Sequence, residues 1–263
     1  YKPRTIFRIN LLNCEMKTII YLFLILGLKI NLAAQAPNIQ WHRTYGGSMN
    51  DRGYSVSNTS DGGFIIAGIT ESSDGDISLN KGVADVWLIK IDSLGVKLWE
   101  KSLGGSDYDE GNTVLETPDK GLIVFGTTES HDSDVSGLHV TPMFPTFLND
   151  GWLVKTDSVG HIQWQRCLGG TEDDYGRDMI ITSDSGYLLA ERVSSNNGDV
   201  TNFHGQEDYW LVKVDQSGNI VWSKTFGASS DDNPGCCTQT TDGGFIIAGA
   251  SDYNFGGFHG PPL

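Results

Sequence analysis

Basic residues are scarce in this chain. Lys and Arg number 18 against 33 Asp and Glu, a formal net charge of −15. Such a surface repels phosphate backbones, which argues against a nucleic-acid partner. Proline is scarce too, at 8, while glycine reaches 33; that balance suits many tight turns rather than a disordered tail. Cysteine is almost missing. Beyond residue 36 only Cys167, Cys236 and Cys237 remain, an odd number with no zinc spacing and no readable disulfide framework. They read as small buried thiols, with a single bridge as the alternative. HExxH, GxSxG, P-loop and CxxC…CxxC motifs do not occur. The six histidines fall mainly in loops without metal-ligand spacing, and His131 beside Asp132 is the one weak pairing. These absences leave no catalytic set to assign.

The longest apolar run, Ile19 to Leu28, is too short for a bilayer that needs ~20 residues, so no membrane span is expected. It follows Met16-Lys17 and precedes Ala34-Gln35-Ala36, the layout of a secretory signal cleaved after Ala36. Residues 16–36 are therefore read as signal peptide. Residues 1–15 precede a good start Met, have no strand or helix pattern, and look like translated upstream sequence. Without residues 1–36 the chain carries 13 basic and 32 acidic residues, a net −19. The expected address is extracellular or cell-surface.

What is present is a repeat. Trp41, Trp99, Trp164 and Trp222 lie 58, 65 and 58 residues apart. Each precedes a glycine turn: Tyr45-Gly46-Gly47, Leu103-Gly104-Gly105, Leu168-Gly169-Gly170 and Phe226-Gly227-Ala228. Ten residues after each Trp stands Asp51, Asp109, Asp174 or Asp232, and twenty after it Asp61, Asp119, Asp184 or Asp242. A second set, Asp85-Val86-Trp87, Asp150-Gly151-Trp152 and Asp208-Tyr209-Trp210, accounts for the remaining Trp.

Each unit reads as four strands, at 54–59, 64–68, 87–91 and 96–101 in the first. Asp-x-x-Gly turns (Asp92–Gly95, Asp157–Gly160, Asp215–Gly218) join the last two. The second and third strands are apolar on both faces, so their sheets are expected to be covered on both sides. Four-stranded sheets repeated in this way suggest propeller blades. The string GGSMNDRGYSVSNTSDGGFIIAGITESSDGD, followed by DVWLIKIDSLGVKLW, resembles the propeller repeats of secreted bacterial proteins. Similar repeats occur in large Bacteroidetes-like surface proteins that often end in a C-terminal sorting domain. The resemblance covers residues 38–258 and implies an all-β fold, an incomplete β-propeller. Its expected parts are a velcro-type strand at 38–47, blades at 51–105, 109–170 and 174–228, and a partial blade at 232–263. Repeat three departs in placing Glu191 where Gly68, Gly126 and Gly249 stand. Repeat four departs with Asn233-Pro234-Gly235.

Strand order puts the inter-blade loops and the loops after the second strands on one side. That side gathers Asp51, Asp74 and Asp76, then Asp109, Asp132 and Asp134, then Asp174 and Asp199, a candidate acidic binding face. The triplets Asp74-Gly75-Asp76, Asp132-Ser133-Asp134 and Asn197-Gly198-Asp199 have a spacing that can present oxygens to calcium, although no full D-x-D-x-D-G…E loop is present. The competing reading is that these side chains bond backbone amides in Asx-type turns. A glycosidase pair would need two carboxyls with divided roles, whereas these acids recur in every repeat. Trp side chains at fixed strand positions read as inter-blade packing rather than a carbohydrate platform. The loop of the second blade carries an apolar cluster, Val140 to Leu148, either a partner site or a lid. The expectation is a non-enzymatic interaction module with a surface-protein or polysaccharide partner and no cofactor beyond the calcium option. The alternatives are a non-catalytic part of a larger secreted enzyme or a spacer in a large surface protein.

Overall fold

A computed structural model of the chain describes residues 6–9, 38–139 and 148–251. The signal-peptide reading, the cluster Val140 to Leu148 apart from Leu148 itself, and the segment after Ser251 lie outside the described residues. The chain divides into a small unit, Thr5–Tyr45, and a body that starts at Gly46.

In the small unit, β1 (Ile6–Ile9) pairs antiparallel with β2 (Ile39–Arg43). Ile6–Ile9 is thus a strand within a stretch whose sequence shows no strand pattern, because four residues are too few to display a period. Trp41 belongs to β2.

The body is all-β among its described residues. Three antiparallel four-stranded sheets follow one another: β3 (Asp51–Asn58), β4 (Phe64–Thr70), β5 (Asp85–Ile91) and β6 (Lys97–Leu103); β7 (Asp109–Glu116), β8 (Leu122–Thr128), β9 (Asp150–Thr156) and β10 (Ile162–Leu168); β11 (Asp174–Ile181), β12 (Tyr187–Val193), β13 (Asp208–Val214) and β14 (Ile220–Phe226). A two-stranded sheet, β15 (Asp232–Gln239) and β16 (Phe245–Ser251), continues the series. Within every sheet the strands pair in chain order. The first strand of each unit begins at its Asp, three residues earlier than the apolar pattern of 54–59 suggests. The reason is that the Asp side chain is itself part of the strand's anchorage, as described below. Each first strand also carries a bulge, at Gly53/Ser55, Gly111/Thr113, Gly176/Asp178 and Pro234/Cys236. A bulge tolerates proline because one ladder bond is already interrupted there.

The doubly apolar second and third strands are buried along nearly their whole length in the three complete sheets. Their side chains interleave between successive sheets. Val86 and Leu88 of the first join Val124, Trp152 and Val154 of the second in one cluster, and Phe125 and Leu153 join Leu189, Trp210 and Val212 in the next. The fourth-strand Trp covers the neighbouring sheet. Trp164 lies 6.5 Å from Tyr187 and Trp222 lies 5.9 Å from Phe245, ring centre to ring centre. Tryptophan thus serves packing between sheets.

Each third strand also buries a lysine, a costly residue to bury unless paired. Lys90, Lys155 and Lys213 reach the turn between the first two strands of their own sheet, placing Nζ 2.8, 3.0 and 3.0 Å from Asp61, Asp119 and Asp184. There the carboxylate also accepts a bond from Thr59, Thr117 or Thr182 Oγ1 and from the amide of Gly63, Gly121 or Gly186. These bonds hold Asp119 and Asp184 at about 2 and Asp61 lower still.

Candidate functional site

At the opposite end of the sheets, the acidic face forms around the glycine pairs that link one sheet to the next. In the first repeat, the Gly47 amide donates to Asp51 (2.7 Å), the Ser48 amide to Asp74 (2.7 Å) and the Gly46 amide to Asp76 (3.2 Å). The second repeats this with Gly105 to Asp109 (2.8 Å), Ser106 to Asp132 (2.8 Å) and Gly104 to Asp134 (3.2 Å). In the third, Gly170 donates to Asp174 (2.6 Å) and Thr171 to Asn197 (2.9 Å). Asp199 faces Arg166 at 3.6 Å and His139 at 3.9 Å instead. The acids at the start of the first strands accept further bonds: Asp51 from Thr70 and Ser72, Asp109 from Thr128 and Ser130, and Asp174 from Ser195.

The sequence-predicted residues therefore come together as three local clusters, each closed on backbone amides. They behave as latches that tie the linking loop to the long loop after the second strand. Among the described residues, no group of three or more His, Cys, Asp or Glu is arranged to hold a metal ion. His131 stands 3.9 Å from Asp107 and is exposed. Cys167 and Cys237 are buried and Cys236 is exposed, all as free thiols; burial pushes the Cys237 thiol up to about 12.

A second set of acids lies beneath the latches. The amides of Asp109, Asp174 and Asp232 donate to the carbonyls of Ala84, Asn149 and Glu207 in the preceding sheet (2.8, 2.7 and 2.9 Å). This brings each first-strand Asp beside the Asp that opens the previous third strand: Asp85 with Asp109, Asp150 with Asp174, Asp208 with Asp232. All six side chains are buried. A Cβ added to Gly104 would lie 2.4 Å from Asp109 Oδ2 and 2.8 Å from Asp85 Oδ1; Gly169 and Gly227 are crowded in the same way. Glycine is required there because two carboxylates occupy the space of a side chain. In each pair the third-strand acid keeps Oδ1 without a hydrogen-bond partner, while Oδ2 accepts the amide of Lys81, His139 or His204. Burial raises Asp85, Asp109, Asp150, Asp174 and Asp208, with Asp85 and Asp174 at about 6. The signal for the third-strand acids was an Asp opening an otherwise apolar strand.

Glu191 is the exceptional group. It is fully buried and neither carboxylate oxygen has a hydrogen-bond partner. Burial, with Asp174, Asp150 and Asp199 nearby, raises it well above the carboxylate range. Its head lies over Gly151 of the preceding sheet, where an added Cβ would meet Glu191 Oε2 at 2.4 Å. Gly151 stands where the other units have Val86 and Tyr209, and the Tyr209 hydroxyl lies over Gly249 in the next junction. Where one sheet brings a large group, the facing sheet has a glycine, so Glu191 and Gly151 are a size-matched pair.

No family model matches the chain. It is 23% identical over 219 residues to the regulatory protein FlaEY of Caulobacter vibrioides, a match covering 80% of this chain. The chain spans 23% of that relative's length. A crystal structure of a Bacteroides caccae protein of unknown function is similar at a TM-score of 0.45 and 14% identity, over 80% of this chain and 57% of that one. Among the described residues no helix is long and apolar enough to cross a membrane.

Proposed function

We propose that residues 37–263 are part of a β-propeller and act as a non-enzymatic extracellular or cell-surface interaction module. In this reading the sheets are blades, and the loops after the second strands meet a surface protein or a polysaccharide. The observation that carries the reading is the division of labour on the loop face. The framework acids recur from repeat to repeat and are engaged with backbone amides, whereas the intervening stretches 77–84, 135–149 and 200–207 differ in sequence, and 135–149 also in length. A constant frame that holds variable loops is how binding surfaces are built on rigid scaffolds. The role of spacer or non-catalytic part of a longer secreted protein is the second reading, and the match to 23% of a much longer relative favours it.

Binding is tested by screening the purified chain on arrays of surface polysaccharides and against cell-envelope extracts. Exchange of loop 200–207 for 77–84 should abolish a saturable interaction while the chain still melts cooperatively. Turnover of any arrayed polysaccharide would contradict the non-enzymatic reading. Secretion is tested by mass spectrometry of the exported protein, which should begin at Pro37.

A further inference from the structure

The turn between the first two strands is built four times, but it is met by a lysine only three times among the described residues. Thr240 and Asp242 reproduce the hydroxyl-to-carboxylate bond, and the Gly244 amide donates to Asp242 at 3.2 Å. The Thr240 amide closes the same turn on the Gly244 carbonyl. In the complete sheets a Cβ on Gly63, Gly121 or Gly186 would lie 2.6, 2.2 or 2.3 Å from the lysine Nζ; on Gly244 it would meet only Thr240 and Asp242.

The strand beside this turn differs to match. β16 is paired in a ladder with β15 and, among the described residues, with no other strand, and the Tyr209 hydroxyl of β13 donates to its Ala250 carbonyl at 2.9 Å. Ile246 is 57% exposed, whereas its equivalents Ile65, Ile123 and Leu188 are 0% exposed. In those sheets each equivalent lies directly opposite the buried lysine, and the glycine or glutamate three residues on lies opposite the third-strand tryptophan.

We propose that the edge of β16 is a docking site for one extended strand of the repeat's own third-strand type, Trp-Leu-aliphatic-Lys. The incoming strand runs antiparallel to β16 with its lysine opposite Ile246 and its tryptophan opposite Gly249. Its ammonium enters the Thr240–Asp242–Gly244 turn, and its backbone completes the ladder, the recognition mode in which edge bonds supply affinity and side-chain pockets supply register. The acidic turn makes the choice selective, since an apolar strand without a lysine at that position leaves Asp242 without a counter-charge.

The test uses the 263-residue chain and a fluorescent peptide with the sequence of residues 208–226, followed by anisotropy. The proposal expects saturable binding that weakens about tenfold when the peptide carries Lys213→Met, and by a similar factor when the chain carries Asp242→Asn. The peptide variant leaves the protein untouched, so a misfolded Asp242→Asn chain would not obscure the answer. Equal affinity for both peptides, or no binding, would overturn the proposal. Self-association of the chain that excludes the peptide would overturn it in favour of a second copy at this edge.

Discussion

Glu191 carries a proton in the folded chain across a range where a solvated glutamate has lost it. Its folded value lies above its unfolded one, so its contribution to stability is full at low pH and declines as pH rises above the ordinary glutamate range. Glu191→Gln keeps the shape and removes the titration. At pH 8 this variant should be more stable than the parent by about 1–3 kcal/mol, and at pH 4 the two should melt together. Chemical denaturation at the two pH values checks this. Gly151→Val should act oppositely, destabilising by about 1–3 kcal/mol through overpacking against the same carboxyl. The departure at Glu191 is visible in the sequence, but its meaning is not. The partner that makes room for it, Gly151, lies 40 residues away in a different sheet, and a repeat alignment does not indicate that the two positions meet.

At the scale of the element, the repeat was legible because it is written in residues with narrow roles. Trp at a fixed strand position, Asp and Gly at turn positions, and apolar runs without alternation led to four-stranded units, and four-stranded sheets with doubly buried central strands are found. The latch acids were legible as a set. Their two readings, calcium or backbone amides, share one spacing, and the separation rests on which amides turn toward them in space. The buried lysines were not legible as latches, because an isolated Lys in an apolar strand names no partner. Asp119 depends on Thr117 first, and then on Lys155, for its low value. Lys155→Met should therefore move the Asp119 titration upward from about 2 toward the ordinary carboxylate range, as carbon-detected NMR would show. Asp109→Ala removes the acceptor of Gly105, Thr128 and Ser130 at one junction and should cost about 2–4 kcal/mol.

For the whole molecule, the two kinds of acid set opposite limits on stability. The raised pair, Asp85 and Asp174 at about 6, contribute stability that is full below about pH 4 and lost as pH climbs through 6. The lowered pair, Asp119 and Asp184 at about 2, contribute stability that is present above about pH 4 and lost as pH falls toward 2. Stability should therefore peak in mild acid, between about pH 4 and 5, where the net negative charge is also small. Thermal melts from pH 3 to 8 at low protein concentration would show a maximum there. A plateau extending to pH 8 would mean that the buried pairs are solvated in solution.

The acids of the loop face hold the chain itself. Amide hydrogen exchange at Gly47, Ser48, Gly105, Ser106, Gly170 and Thr171 tests it most directly, in metal-free buffer and again with millimolar calcium. If the acids are latches, these amides are protected from the outset and calcium leaves their rates unchanged. Fast exchange without calcium, followed by protection once it is added, would show that a cation and not the backbone organises this face.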